Sequence, residues 1–258
     1  MTPSELLLRI EAEYTRILGD KLAGIYVHGS LAFGCYNPAV SDIDFIAAVK
    51  SEPTLREKTE LVSVLLSLEA YYPEKGVEMS VVSAEVCRCF IHPAPYYLHY
   101  SNTYKDRAES DTEGFCREMH GTDRDLAAHF TVIRHAGYPL CGVPVKEMFG
   151  EVPYEAYVDS LMYDIENAEA DVADAPVYVI LNLCRVTAFL ECGEVISKKA
   201  GGEWGLAHFP ECRHGVIESA LRCYGGEACA IDGEAARELA RYALERIRED
   251  MRMSCGNN

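Results

Sequence analysis

The spacing of apolar residues changes along this chain, and the change falls near residue 150. Before that point, short apolar runs typical of strands lie between stretches in which apolar residues recur every three or four positions, as in amphipathic helices. After it, only the helical spacing remains. The pattern predicts strands at 22–28, 43–49 and 77–82, and helices at 3–18, 52–72, 84–88, 125–135, 154–172, 176–190, 214–223 and 232–252.

This order of elements predicts an α+β protein with two domains. Residues 1–150 are expected to form a mixed sheet with flanking helices, and residues 151–258 an all-helical bundle. The segments 29–41 and 137–150 are predicted to be loops, and the tail 254–258 is predicted to fray. The segment 92–113, rich in proline, tyrosine and polar residues, shows no clear periodicity.

Composition narrows the range of functions. The chain has 258 residues, a formal net charge of −17 and 49% hydrophobic residues, which is enough for a sizeable core. Such acidity disfavours a protein that grips a nucleic-acid backbone and suits a cationic small-molecule partner. A role in solubility alone is also consistent with it. No uninterrupted apolar run reaches the roughly 18 residues of a membrane span, so no membrane partner is expected.

The eleven cysteines are odd in number and include no Cys-x-x-Cys pair. We therefore expect reduced thiols packed as small apolar residues, rather than a disulfide framework or a zinc site. The N-terminal segment lacks the basic and apolar pattern of a signal peptide. Together these features predict a cytoplasmic protein.

The chemistry-bearing motif lies between the first two predicted strands. Gly29-Ser30 begins the connecting segment, and Ser41-Asp42-Ile43-Asp44 leads into the second strand. Residues two apart on a strand share a face, so Asp42 and Asp44 are expected about 6–7 Å apart along the backbone. Two such carboxylates repel each other unless a cation lies between them. Mg²⁺, completed by phosphate oxygens and water, suits the pair.

Small residues beside these acids favour a phosphate site. Gly29 lets the backbone approach a phosphate group, and the Ser30 hydroxyl can hydrogen-bond its oxygens. Ser41 either caps the turn before the acids or binds a further phosphate oxygen. The motif therefore predicts a ligand that carries both a metal ion and phosphate.

Glu78 is the third acid of this hypothesis. A lone acid is out of place in the apolar strand predicted at 77–82, and it can face the same metals if this strand lies beside 43–49. A glutamate within hydrogen-bond reach of a substrate hydroxyl can act as a general base. The alternative is an exposed acid on the polar face of a half-buried strand. The upstream Gly-Ser and Asp-x-Asp pattern favours the functional interpretation.

This order of motifs resembles the nucleotidyltransferase superfamily that includes DNA polymerase β. Over nearly the whole chain the sequence is also similar to the streptomycin/spectinomycin adenylyltransferases, bacterial resistance enzymes that modify aminoglycosides. The segments that carry this similarity are Arg185 within 181–186, then 193–198 and Glu203-Trp204, and ahead of them 125–127 and 142–149.

The resemblance implies a polymerase β-like N-terminal domain that transfers AMP from Mg-ATP to an antibiotic hydroxyl and releases pyrophosphate. Asp42 and Asp44 would hold two magnesium ions with ATP, and Glu78, facing the metals, would be the catalytic base. Ser30 and Ser41 would contact the triphosphate.

The same resemblance implies nucleotide contacts from the helical domain. Arg185 and Lys198 would reach phosphates, the first as a bidentate fork and the second as a point charge. Tyr224 would lie against the nucleotide. Ion pairing within the protein is the alternative for the two cations, and packing is the alternative for Tyr224.

The resemblance is weaker at the acceptor site. The relatives use acids just ahead of the helix that carries the arginine. Asp171 and Asp174 stand there and suit an ammonium group, although the spacing differs by one residue and a solvated helix cap is the alternative. The aromatic residue that relatives use for streptomycin would fall near 102–104, where this sequence has no tryptophan. This favours spectinomycin over streptomycin as acceptor.

Three other functions are compatible with the motif, since fold alone does not define function. AMP transfer to a protein or to another metabolite hydroxyl keeps the chemistry and changes the acceptor. A non-catalytic nucleotide-binding regulator keeps the fold, but the intact acids disfavour it. A polynucleotide polymerase is disfavoured by the net charge of −17.

Overall fold

A computed structural model describes the backbone of residues 1–255 and the side chains of residues 1–252, so part of the predicted frayed tail lies outside the described residues. The chain divides into two compact units, Met1–Ser160 and Leu161–Asn258. Strands occur in the first unit, and the described part of the second is helical. The predicted α+β class, a mixed sheet followed by a helical domain, is confirmed.

The strands of the first unit are β1 Leu22–Val27, β2 Ile43–Val49, β3 Val77–Ser83, β4 Ala94–Tyr96, β5 Leu98–Tyr100, β6 Gly121–Asp123 and β7 Tyr138–Gly142. Five of them form a mixed sheet in the order β5-β3-β2-β1-β7. The central pair, β2 and β3, is parallel, whereas β1 runs antiparallel to β2. Strands β4 and β6 pair with each other in a separate small sheet.

Helices flank this sheet and make up the second unit. Those of the first unit are α1 Pro3–Leu18, α2 Gly29–Ala32, α3 Leu55–Ser67, α4 Ala84–Arg88, α5 Lys105–Ser110, α6 Thr112–Glu118, α7 Leu126–Ala136 and α8 Val145–Met148. Helix α9, Tyr154–Asp164, crosses the division. Those of the second unit are α10 Ala168–Asp171, α11 Pro176–Cys192, α12 Lys198–His208, α13 His214–Tyr224 and α14 Gly233–Cys255.

Strand β2 is buried along its whole length, which explains its nearly continuous apolar sequence. Phe45, Ala47 and Val49 belong to the core cluster that includes residues of α1 and α3. Ile46 and Ala48 point the other way, into the cluster that includes residues of α7. The sheet is therefore covered on both faces, and an acid at the start of β2 is held rigidly.

Helix α1 begins as its sequence predicts. The Thr2 hydroxyl accepts a hydrogen bond from the backbone N–H of Glu5, and the Glu5 carboxylate accepts one from the backbone N–H of Thr2. This reciprocal capping box satisfies two backbone donors that the helix itself cannot pair.

Other predicted boundaries were wrong. The single helix expected at 154–172 is interrupted, because α9 ends at Asp164 and α10 begins at Ala168. The predicted loop at 29–41 contains the short helix α2, and the predicted loop at 137–150 contains the edge strand β7 and helix α8. Strand β7 carries Pro139, which has no N–H to donate and is tolerated at a sheet edge.

Helix α12 was missed because three glycines interrupt its helical pattern. Packing against α11 explains them. A Cβ added at Gly201 would lie 2.8 Å from the backbone nitrogen of Arg185, and one at Gly205 would lie 2.7 Å from the sulfur of Cys184. The glycines therefore allow the two helices to approach closely, which outweighs their low helix propensity.

Cys223 and Cys229 form a disulfide, so the expectation of reduced thiols is wrong for this pair. The other cysteines with described side chains are free: Cys35, Cys87, Cys89, Cys116, Cys141, Cys184, Cys192 and Cys212. Among these, Cys87, Cys116 and Cys184 are buried as predicted. None of the described helices combines the length and the apolarity that crossing a bilayer requires.

Candidate active site

Three acids converge where β2 and β3 begin. Asp44 and Glu78 are register partners in this parallel pair, and Asp42 stands one residue before β2. One carboxylate oxygen from each of Asp42, Asp44 and Glu78 lies within 4.8 Å of the other two. Asp44 is only 8% exposed. Carboxylates this close repel one another unless a cation compensates their charge, and an all-oxygen donor set fits Mg²⁺.

Gly29 makes room for the Asp44 carboxylate. A Cβ added at Gly29 would lie 1.8 Å from Oδ2 of Asp44, and the glycine φ of +62° is itself unfavourable for other residues. The backbone N–H of His28 donates to the carbonyl of Asp44 at 3.0 Å. The turn that leaves β1 is thus packed directly against the second acid.

We predict that Gly29→Ala reduces any metal-dependent activity of this site at least about a hundredfold. The new methyl group would displace the Asp44 carboxylate, and a displacement of about 1 Å in a catalytic group can lower the rate by that factor. Gly34→Ala is the matched control. Gly34 has a similar φ of +68°, but its added Cβ meets no heavy atom of the described residues within 4 Å.

Gly34→Ala should lose about 1–2 kcal/mol of stability from the left-handed backbone, and Gly29→Ala should lose at least as much because of its contact with Asp44, measured by denaturant unfolding. Only Gly29→Ala should lose activity. Equal activity in the two variants would show that the contact with Asp44 is unimportant.

The two serines have different surroundings. The Ser30 Oγ is buried and has no hydrogen-bond partner among the described residues. Such an atom is costly unless a ligand or water satisfies it. The Ser41 hydroxyl accepts a hydrogen bond from the backbone N–H of Asn37 at 3.1 Å, and the Ser41 N–H donates to the Asn37 carbonyl. Ser41 therefore caps the turn before the acids, one of its two predicted roles.

Two histidines whose rings lie against each other, His129 and His28, form a histidine layer behind Glu78 that was not predicted. Nε2 of His129, on α7, lies 3.7 Å from a Glu78 oxygen and 3.4 Å from an Asp125 oxygen. The His28 ring lies against the His129 ring, with 4.7 Å between their centres. One sequence signal was available, because Asp125 and His129 are four residues apart and share a helix face.

Burial and charge shift the pKa values here in opposite directions. Burial raises the pKa of Glu78, and the carboxylates of Asp125 and Asp42 add to this against the opposing effect of His129. Burial lowers the pKa of His129, but its hydrogen bond to Asp125 and the charges of Asp125 and Glu78 outweigh it and raise the pKa to about 10. A glutamate with a raised pKa is a stronger proton acceptor.

A cavity of about 530 Å³ opens beside the acids. Asp42 and Glu78 line it, and Lys75, Asn102 and Thr103 lie in its wall. Tyr104, which follows them, packs on Phe115 with 6.0 Å between ring centres. The part of the wall formed by 102–103 is thus polar, and Glu78 is reachable from the cavity.

In the second unit, the predicted cations Arg185 and Lys198 both contact the cluster formed by Asp164, Tyr178 and Asn182. Nζ of Lys198 lies 4.3 Å from the centre of the Tyr178 ring. Nη2 of Arg185 donates to Oδ1 of Asn182 at 2.5 Å and lies 3.6 Å from Oδ2 of Asp164. Tyr224 is half-buried at the end of α13.

The predicted acceptor acids line a second cavity, of about 220 Å³, that lies wholly within the helical unit. Asp171 and Asp174 contribute to its wall together with Asp164, Tyr178 and Asn182. Three carboxylates in one small cavity favour a cationic occupant. Sequence reasoning found two of these acids and missed Asp164, which ends α9.

A mixed sheet that gathers three acids where its central strands begin, followed by a helical unit that carries Arg185 and Lys198, fits the nucleotidyltransferase class. Residues 147–246 match the family described as aminoglycoside adenylyltransferase, C-terminal domain. A spectinomycin 9-adenylyltransferase of Enterococcus faecalis is 20% identical over 250 residues, which cover 95% of this chain and 96% of that protein.

The fold is shared with a solved enterococcal spectinomycin adenyltransferase, crystallised with ATP and spectinomycin. The TM-score is 0.81 at 19% identity, over 96% of this chain and 100% of that one. Residues 147–246 are therefore similar to the C-terminal domain of the aminoglycoside adenylyltransferases, and the similarity to spectinomycin adenylyltransferases extends over nearly the whole chain. A shorter match, 35% identical over 60 residues, covers 23% of this chain and 60% of a Methanocaldococcus jannaschii protein proposed to be a protein adenylyltransferase.

Proposed function

We propose that this protein transfers AMP from Mg-ATP to a hydroxyl of a cationic, aminoglycoside-type acceptor, with spectinomycin favoured over streptomycin. The observation that carries the proposal is the convergence of Asp42, Asp44 and Glu78, whose carboxylate oxygens lie within 4.8 Å of one another. The family relationship supports the same reaction.

In the proposed reaction, the acceptor oxygen attacks the α-phosphorus of ATP. A new phosphorus–oxygen bond forms, the bond to the β-phosphate oxygen breaks, and pyrophosphate leaves. Glu78 takes the proton of the acceptor hydroxyl, and its raised pKa supports this role. Asp42 and Asp44 would hold the Mg²⁺ ions together with Glu78. When bound, these ions neutralise charge on the phosphate oxygens.

The remaining nucleotide contacts are assigned by chemistry. The unpaired Ser30 hydroxyl is suited to a phosphate oxygen, and Gly29 allows that phosphate to approach the backbone. Arg185 and Lys198 provide positive charge for the triphosphate in a chain whose net charge is −17. Ser41 is proposed to contact the triphosphate, and Tyr224 is proposed to lie against the nucleotide.

The acceptor is proposed to present its ammonium group to the acidic cavity lined by Asp171 and Asp174. A carboxylate that accepts a charge-assisted hydrogen bond from an ammonium group typically contributes more than a neutral hydrogen bond does. The resemblance places the aromatic residue used for streptomycin near 102–104, where this sequence has no tryptophan, and this supports spectinomycin as the preferred acceptor.

Pyrophosphate release from Mg-ATP, measured across a panel of aminoglycosides, tests the proposal. We expect release to depend on the acceptor, with spectinomycin the best substrate, and mass spectrometry to show one added AMP on it. The absence of acceptor-dependent release with every aminoglycoside would contradict the proposed substrate class.

We predict that Asp171→Asn and Asp174→Asn each raise the KM for the cationic acceptor about tenfold, the loss expected when a charge-assisted contact becomes a neutral one. The KM for ATP should be unchanged. Steady-state kinetics with each substrate varied in turn provide the measurement. A rise in the KM for ATP alone would show that these acids do not bind the acceptor.

AMP transfer to a protein is a second candidate, and the 60-residue match to a protein of proposed protein adenylyltransferase activity favours it. That match covers less than a quarter of the chain, so the full-length relationship outweighs it. Radiolabelled AMP appearing on a protein band, with no transfer to any aminoglycoside, would support this candidate instead.

A further inference from the structure

We propose that Asp164 is a positioning residue that fixes the Arg185 guanidinium for the triphosphate, an inference that rests on the proposed function. Asp164 ends α9, whereas its partners are on α11. The carboxylate lies 3.6 Å from Nη2 of Arg185, and the two side chains are only 23% and 18% exposed.

Both oxygens of the Asp164 carboxylate accept hydrogen bonds. The Tyr178 hydroxyl donates to Oδ1 at 2.7 Å, and Nδ2 of Asn182 donates to Oδ2 at 2.8 Å. Oδ2 also faces Arg185. A group that accepts at both oxygens must be a carboxylate, since an amide would turn a donor towards one of these donors.

Asn182 links Asp164 to Arg185 by hydrogen bonds. Its amide is 1% exposed, donates to Asp164 through nitrogen and accepts from Nη2 of Arg185 through oxygen. Asp164 therefore determines which way the Asn182 amide points, and so holds the guanidinium both directly and through that amide. Buried polar networks of this kind are rigid when every member is satisfied.

One donor in this cluster stays open. Nε of Arg185 is buried and has no hydrogen-bond partner among the described residues. The exposed 18% of this side chain presents a positively charged group held through Nη2, and a phosphate group matches its geometry and charge. Arg185 is thus oriented before the nucleotide arrives, which reduces the cost of ordering a long side chain on binding.

Positioning and simple electrostatics predict opposite effects of removing this acid. An aspartate near the phosphate-binding cations repels phosphate, so loss of its charge alone would strengthen nucleotide binding. If Asp164 acts by holding Arg185, its loss weakens nucleotide binding instead. The sign of the change therefore distinguishes the two roles.

The test is calorimetric binding of Mg²⁺ with α,β-methylene-ATP, which cannot transfer AMP. We expect Asp164→Asn to raise the Kd about tenfold, within the range of couplings between contacting residues. Tyr178→Phe, which removes one hydrogen bond to Asp164 but keeps the ring beneath Lys198, should raise it about threefold. Glu169→Gln, an exposed acid on α10, removes the same charge outside the cluster and should leave the Kd unchanged.

The double variant shows whether Asp164 acts through Arg185. In an Arg185→Ala background, Asp164→Asn should have little further effect on the Kd, because the group that it positions is absent. Additive losses, an unchanged Kd, or a tighter Kd in Asp164→Asn would each overturn the inference. So would a rise in the acceptor KM with no change in nucleotide binding.

Circular dichroism and thermal melting establish that each variant is folded. If Asp164→Asn does not fold, the change in Kd caused by Tyr178→Phe is compared between the wild-type and Arg185→Ala backgrounds instead. Failure of the wild-type protein to bind the nucleotide analogue would overturn both the proposed function and this inference. Binding by the wild type with an unchanged Kd in the variants would overturn the inference alone.

Discussion

Asp44→Asn is expected to reduce AMP transfer about a thousandfold, at the upper end of losses seen when a preorganised electrostatic contact is removed. Asp44 is the most buried of the three acids and is fixed on both sides, by its place in β2 and by the turn at Gly29. An amide there is neutral and presents only one oxygen, so it is a poor ligand for a hard divalent cation.

Acceptor-dependent pyrophosphate release measures this loss, and thermal melting separates it from unfolding. Without divalent cations, Asp44→Asn should be at least as stable as the wild type, because it removes one of three mutually repelling carboxylates. Mg-ATP should raise the melting temperature of the wild type but barely that of the variant, since only a ligand that binds the folded state stabilises it.

Asp106→Asn, at an exposed position on α5, is the control for a general effect of losing an acid and should retain full activity. Wild-type turnover in Asp44→Asn would exclude the metal-binding role. The same outcome would remove the observation on which the proposed function depends.

Glu78→Gln is expected to lower kcat by a factor of about 10² to 10⁴, as removal of a general base does. The affinity for Mg-ATP should change little, because Asp42 and Asp44 remain to hold the metal ions and the glutamine keeps one side-chain oxygen there. Glutamine keeps the size of the side chain and its place opposite Asp44 but cannot take the proton of the acceptor hydroxyl. Single-turnover kinetics measure the rate of the chemical step, and calorimetry with the non-transferable analogue measures binding.

Glu74→Gln is the matched control for Glu78→Gln. Glu74 lines the same cavity but stands outside the cluster of three acids, so its replacement should leave the chemical step unchanged. If Glu78→Gln lost nucleotide affinity and kept its rate of transfer, Glu78 would be a ligand of the metal-bound nucleotide and not the base.

The histidine layer behind Glu78 bears on the role proposed for this glutamate as a base. His129 touches both Glu78 and Asp125, and the raised pKa of His129, about 10, favours its charged form beside the two acids. A cation at this distance limits the rise in the pKa of Glu78 that burial causes. Burial thus makes Glu78 more basic than an exposed glutamate, and His129 opposes that change.

The elements that local pattern controls were predictable. Strands β1, β2 and β3 were found because their apolar runs are short and bounded by turn residues. The start of α1 was found because a capping box is a local interaction between residues three apart. The acids of the first unit were found because alternation along a strand fixes which residues share a face.

The elements that depend on distant partners were not predictable. Helix α12 contains glycines that a local reading takes as helix breakers, and only the close approach of α11 explains them. Edge strands β5 and β7 are short and carry weak patterns, and their pairing with β3 and β1 defines them. The disulfide between Cys223 and Cys229 likewise needed coordinates, since cysteine spacing does not determine pairing.

The sequence by itself determined the α+β class, the candidate metal ligands and the resemblance to the aminoglycoside adenylyltransferases, because these rest on residue types at fixed short spacings. The tertiary structure decided that Asp44 and Glu78 are register partners, that His129 lies behind Glu78, and that Asp164 lies 3.6 Å from Arg185. Each of these contacts joins residues on different elements. Their distances depend on how the elements pack, and no local pattern in a single sequence encodes that packing.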